Sequence, residues 1–173
     1  MKRYAAFLRG VSPMNAKMPE LVRAFEAAGF TDVKTIVSSG NVNFGSNRRS
    51  IEKLAASAEA AMQKLLKRSF LTFVRELSEL ERMLDADPFK TFKLPPKSKR
   101  IVTFLRSAPK APPKLPIDME NARLLLLRDD VAFGAYVPDP KTGPVFMTLI
   151  ERTFGKEVTT RTWDTVAKVV KKG

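Results

Sequence analysis

The sequence predicts an α+β fold of two ferredoxin-like, split β-α-β halves, with antiparallel or mixed sheets and helices packed on one face. Three observations lead there. Strand-length apolar runs and helical periodicity follow the order β-α-β-β-α-β over residues 1–76. A similar but less regular order fills residues 77–173. The 173 residues are 44% hydrophobic, enough for a packed core.

The first half reads cleanly. "RYAAFLR" (3–9) is an apolar run of strand length, and "MPELVRAFEAAGF" (18–30) sets Leu21, Phe25 and Ala28 at helical spacing before Gly29 as a C-terminal stop. "DVKTIV" and "NVNF" (32–37 and 41–44) flank Ser38-Ser39-Gly40-Asn41 as a hairpin, with Gly40 and Asn41 suited to positive φ. "SIEKLAASAEAAMQKLLKR" (50–68) is the clearest helix, with Ser50 as its N-cap and Leu54, Ala58, Ala61 and Leu65 on one face. "SFLTFVRE" (69–76) supplies a fourth strand.

The second half opens with a helix near 77–86 and the strand "KRIVTFLR" (99–106). A crossover carrying Pro109, Pro112, Pro113 and Pro116 follows, and it reads as the place of a shortened first helix. Then come "ARLLLLR", a turn at Asp129-Asp130, "VAFGAYV", the helix "PVFMTLIERTFG", "EVTTRT" and a closing helix "WDTVAKVVKK". The Asp129-Asp130 pair is a hairpin turn in this reading, not a metal or acid-base site.

Composition removes whole classes of chemistry. With no His and no Cys the chain holds no Ser-His-Asp or Cys-His nucleophile system, no thiolate-imidazole zinc site and no thiol redox centre. No metal and no cofactor is expected. No apolar run approaches a membrane span, and Arg9 interrupts the N-terminal stretch where a signal peptide is continuously apolar, so the expectation is a cytoplasmic protein without a membrane partner. The net charge is +13 and both halves are basic: residues 1–75 carry 13 basic and 5 acidic side chains, residues 76–173 carry 18 and 13. A field of this sign favours polyanions such as nucleic acids or phosphorylated small molecules.

Topology gives that charge a focus. In a split β-α-β unit the end of the first strand and the turn between the second and third share one sheet edge, which brings Arg9-Gly10 beside Ser39-Gly40-Asn41. The first helix starts at that edge near Lys17 and the second ends there with Lys67-Arg68. Backbone donors, a helix N-terminus and cations thus meet, the makings of an anion site. Small polar residues are also the ordinary vocabulary of turns. "GVSPMNAK" (10–17) lacks the second glycine and Lys-Ser/Thr ending of a phosphate-binding loop. An RNA-recognition sheet would share the topology, but if Val42 and Phe44 face the helices the other face offers Asn41 and Asn43, not a stacking platform. "TTRTWD" (159–164) concentrates Arg161 and Trp163 beside the last helix.

"YAAFLRGV", "MPELVRAFEAAGFTDVKTIVSSGNVNF" and "TTRTWDTVAKV" together resemble the bacterial family known as domain of unknown function 1697. The resemblance implies an α+β fold with ferredoxin-like halves and supplies no activity. The family's "LRGINVGG"-like loop, "QSGNVVF"-like hairpin and "TTRNWNT"-like close correspond here to Leu8–Gly10, Ser39–Asn41 with Phe44, and Thr159–Arg161 with Trp163. The chain departs from it in "VSPMNAK", which lacks paired glycines, and at Asp164.

The leading expectation is a binding module for a phosphate-bearing or other anionic ligand, a nucleic acid backbone or a nucleotide, held by Arg9, Gly10, Lys17, Ser39, Gly40, Asn41, Arg161 and Trp163. One alternative is an enzyme on a small anionic substrate clamped by Arg9 or Arg161, though no proton-transfer residue is evident. Another is a protein-interaction or oligomerisation unit.

Overall fold

The computed structural model describes residues 1–173. The chain is a mixed α+β protein with two antiparallel sheets and five helices. It forms two compact units, Met1–Asp85 with Thr165–Gly173, and Ala86–Asp164. The first unit therefore ends beyond the expected cut after Glu76 and regains the C-terminal residues.

The first unit runs β1 (Lys2–Leu8), α1 (Met18–Ala27), β2 (Thr31–Thr35), β3 (Asn41–Ser46), α2 (Ile51–Leu66), β4 (Thr72–Glu76) and α3 (Leu77–Ala86), with sheet order β2-β3-β1-β4. Helix α1 stops where Gly29 takes φ +89, a conformation that costs glycine little. The Ser50 hydroxyl caps α2 by accepting from Lys53 N. Tyr4, Ala6, Leu8, Val42, Phe44 and Val74 form the sheet face that packs on α1 and α2. Phe44 is the hub of that core, 4.3 Å from the Phe30 ring, 5.6 Å from Tyr4 and 5.7 Å from Phe25. Burial raises the Tyr4 phenol pKa, and its hydroxyl donates to the Arg48 carbonyl. The stripe that α2 buries is Leu54, Ala55, Ala58 and Met62, so the expected inward Leu65 is instead 49% exposed.

The opposite face of this sheet is also closed. Asn41, Asn43, Phe7, Phe73 and Arg75 lie there by register, and all are buried. The Asn43 amide donates from Nδ2 to the Val169 carbonyl at 2.8 Å. Val169 lies in the last turn of α5 (Trp163–Lys171), and Gly173 N, the donor four residues on, bonds to Val170 instead. Asn43 thus satisfies a helix-end carbonyl from 126 residues away. Helices lie on both faces of this sheet, which corrects the expectation of one. The last helix supplies the acceptor that a buried amide on this face needs.

The second unit holds β5 (Lys99–Leu105), β6 (Ile117–Met119), β7 (Ala122–Arg128), β8 (Val131–Tyr136), α4 (Val145–Phe154) and β9 (Val158–Thr162), in sheet order β6-β7-β8-β5-β9. No helix separates β5 from β6. The four prolines of the crossover cannot donate backbone hydrogen bonds, and the short strand β6 takes the place of the expected first helix. Ile101, Leu105, Leu124, Leu149, Ile150 and Val158 build its core with α4.

The two units share a plan. Strands β7-β8-β5-β9 repeat the order β2-β3-β1-β4, and "KRYAAFLR" (2–9) matches "KRIVTFLR" (99–106) at five of eight positions. Leu8 N donates to Gly40 O at 2.8 Å, and Leu105 N donates to Asp130 O at 2.9 Å. Arg75 pairs with Ala5 and Arg161 with Val102, which are equivalent positions, and each guanidinium bonds the carbonyl of the residue before it.

Replacing Asn43 tests the helix-end contact. Asn43→Ala is expected to cost about 1 kcal/mol in urea unfolding, and Asn43→Asp more, because a carboxylate there would face a carbonyl and the negative helix end. Equal unfolding midpoints for all three proteins would contradict the contact.

Candidate functional site

The edge expected to gather the site residues exists in the first unit. Leu8 N bonds to Gly40 O, and Arg9 N bonds to Leu71 O at 2.9 Å, so the end of β1 is held between the β2-β3 bend and the start of β4. Gly40 sits at φ +80, and a Cβ on it would lie 2.9 Å from Val11 Cβ. Only a hydrogen fits between bend and loop. The Asn41 side chain is buried and donates to Ile36 O at 2.9 Å and to Ser39 Oγ at 3.1 Å. Gly40 and Asn41 therefore build the bend from behind, leaving Ser39 at its surface.

The neighbouring loop, 10–17, is braced by one side chain. Asn15 accepts from Ser12 N through Oδ1 at 2.9 Å and donates from Nδ2 to Gly10 O at 2.8 Å. Lys17 is the N-cap of α1, and its backbone N–H donates to the Glu20 carboxylate at 3.2 Å, so a protein carboxylate already occupies one of the donors at this helix start. From the end of α2 the Arg68 guanidinium donates to Asn15 O at 3.4 Å. Segments 9–19, 34–41 and 60–71, which make this edge, carry Arg9, Lys17, Lys34, Lys64, Lys67 and Arg68, and two carboxylates reach it from the flanking residues, Glu20 on Lys17 N and Glu59 accepting from Thr72 N at 2.9 Å.

Arg9, Gly10, Lys17, Ser39, Gly40 and Asn41 thus come together around the β1 end, with Arg68 and Asn15 added. The signal for Asn15 was its place in a short polar loop where an Asx turn is common. Val37, at φ +58 and half exposed, had no sequence signal, since a β-branched residue is a poor left-handed former. Arg161 and Trp163 belong to the second unit. There Trp163 packs edge-on against Phe89 at 5.0 Å and Phe133 at 6.4 Å, with the Arg100 guanidinium 5.9 Å from its ring. It is a packing anchor. Arg161 Nη1 donates to Thr159 Oγ1 at 2.7 Å and Thr160 O at 2.9 Å, and burial lowers its pKa to about 10, which leaves it cationic at neutral pH. The chain contains no group of His, Cys, Asp and Glu arranged to hold a metal ion.

Residues 1–123 match the family described as "Protein of unknown function (DUF1697)". The chain belongs to that family. The matched stretch includes the β1 end, the 10–17 loop and the bend, whereas Arg161 and Trp163 lie beyond it. As a DUF1697 member it is also similar in fold to a conserved bacterial protein from Streptococcus pneumoniae, with 17% identity, 99% of this chain and 98% of that chain covered, and a TM-score of 0.72. No curated protein matches the chain.

Two glycines of the edge should respond differently to a methyl group. Gly40→Ala is expected to lose about 2 kcal/mol or more, from positive φ and the Val11 contact, and Gly10→Ala about 1 kcal/mol, because nothing lies within 4 Å of a Cβ there. Val37→Asn is expected to gain about 1 kcal/mol by relieving the left-handed strain. Urea midpoints of the three variants check the order.

Proposed function

We propose that the protein is a cytoplasmic binding module for a phosphate-bearing or other anionic ligand, such as a nucleic acid backbone or a nucleotide, held at the β1 edge of the first unit. The observation that carries this is the excess of charge where the three segments meet, six cations against the two carboxylates of Glu20 and Glu59, beside the exposed Gly10 and Ser39. Arg9, Lys17 and Arg68 supply charge, and Gly40, Asn41 and Asn15 hold the backbone that presents them. The ferredoxin-like reading of both halves is supported by their common strand order and by the paired β1 and β5 sequences. The absence of Cys and of a helix long and apolar enough to cross a membrane supports the cytoplasmic placement.

Contacts with phosphates release counterions, so affinity should fall steeply with salt. In fluorescence anisotropy with a labelled single-stranded RNA homopolymer, the full chain is expected to bind at low salt. Arg9→Ala with Arg68→Ala should weaken it and flatten the log K against log salt slope by about 1 to 1.5. Failure to bind at low salt, or binding indifferent to salt, would remove the proposal.

A further inference from the structure

The same edge is apolar as well as basic. The chain leaves four large apolar side chains exposed: Met1, Met14 at 94%, Val37 at 50% and Leu65 at 49%. Met14, Val37 and Leu65 fall one each on the three segments of the edge: the 10–17 loop, the β2-β3 bend and the last turn of α2. Single exposed apolar residues are ordinary. Three of four on a rim that carries six cations, against two carboxylates that are taken up by backbone N–H groups, is a composition with a partner in view.

Two of the three are presented by braced backbone. Met14 stands in the loop that Asn15 ties to Gly10 and Ser12, with Met14 N donating to Ser12 Oγ at 3.3 Å. Val37 is held outward by positive φ in a bend fastened by Asn41 to Ile36. Around them Lys17, Lys64, Lys67 and Arg68 are exposed, and none of the four is in an ion pair. A surface that fits this pattern has fixed phosphate charge at one depth and hydrocarbon just beneath it. Nucleic acid fits half of it: bases stack on rings, Met, Val and Leu have none, and the sheet aromatics Phe7 and Phe73 are buried.

We propose that this edge docks on an anionic phospholipid surface, with Met14 and Val37 entering the headgroup-acyl boundary while the lysines and Arg68 meet headgroup phosphates. The proposal rests on the anion-binding reading, because the same cations serve both. This departs from the sequence expectation of no membrane partner, which rests on the lack of a spanning segment, and contact with a surface needs none.

Co-sedimentation of the full chain with vesicles of equal parts phosphatidylserine and phosphatidylcholine tests it at low salt, with phosphatidylcholine vesicles and inorganic polyphosphate as the other arms. The protein is expected on the phosphatidylserine vesicles and not on phosphatidylcholine alone. The double variant Met14→Ser, Val37→Asn should bind those vesicles about tenfold more weakly, from the lost apolar transfer, with polyphosphate affinity unchanged and a urea midpoint no lower. Polyphosphate binding without vesicle binding would overturn the lipid assignment and leave the anion reading standing; binding to neither would remove both. Unchanged vesicle binding by the double variant would overturn the insertion, as would RNA binding that the variant weakens in preference to vesicle binding.

Discussion

A single backbone hydrogen bond organises the candidate site: Leu8 N–H to the Gly40 carbonyl, 2.8 Å. It joins the last residue of β1 to the bend that opens its neighbour β3, and it forms only because Gly40 has no side chain to strike Val11 and Leu8. Once it is made, the 10–17 loop must leave beside the bend. The end of α2 also arrives at that edge, because α2 precedes β4 and β4 is antiparallel to β1. Every cation assigned to the edge inherits its position from this arrangement, and none needs an individual reason to be there.

The same sheet limits where function can reside. One face is filled by the Phe44-centred aromatic core against α1 and α2, and the other is buried, with Asn43 spent on the Val169 carbonyl. A related β-α-β-β-α-β sheet could read RNA through exposed rings, but here those rings are interior. What stays open to solvent at this edge is the rim, made of loops and helix ends, where backbone donors and long cationic side chains are the available chemistry.

Local signals were legible wherever neighbours in sequence settle the outcome. Gly29 as a helix stop, Ser50 as a cap, Asp129-Asp130 as a turn and the meeting of Arg9 with the bend all follow from short-range chemistry plus strand order. Three features depend on distant partners and were not readable: Asn43 reaching a carbonyl 126 residues on, Leu65 rotated outward because Met62 fills the stripe, and helices on both sheet faces. The missing crossover helix was half legible, since the prolines predicted shortening but not a strand in its place. The match of residues 2–9 to 99–106 was present in the letters, and it acquires meaning only when Leu8 and Leu105 make equivalent hydrogen bonds.

The most direct measurement is an amide-resolved NMR titration of the full chain with inorganic pyrophosphate. The account predicts shifts concentrated in residues 9–17, 37–41 and 64–69, with the amides of Gly10 and Ser39 among the largest and the buried strand β3 beyond Asn41 silent. Shifts spread evenly over surface lysines, or gathered in the second unit with these three segments unmoved, would contradict it.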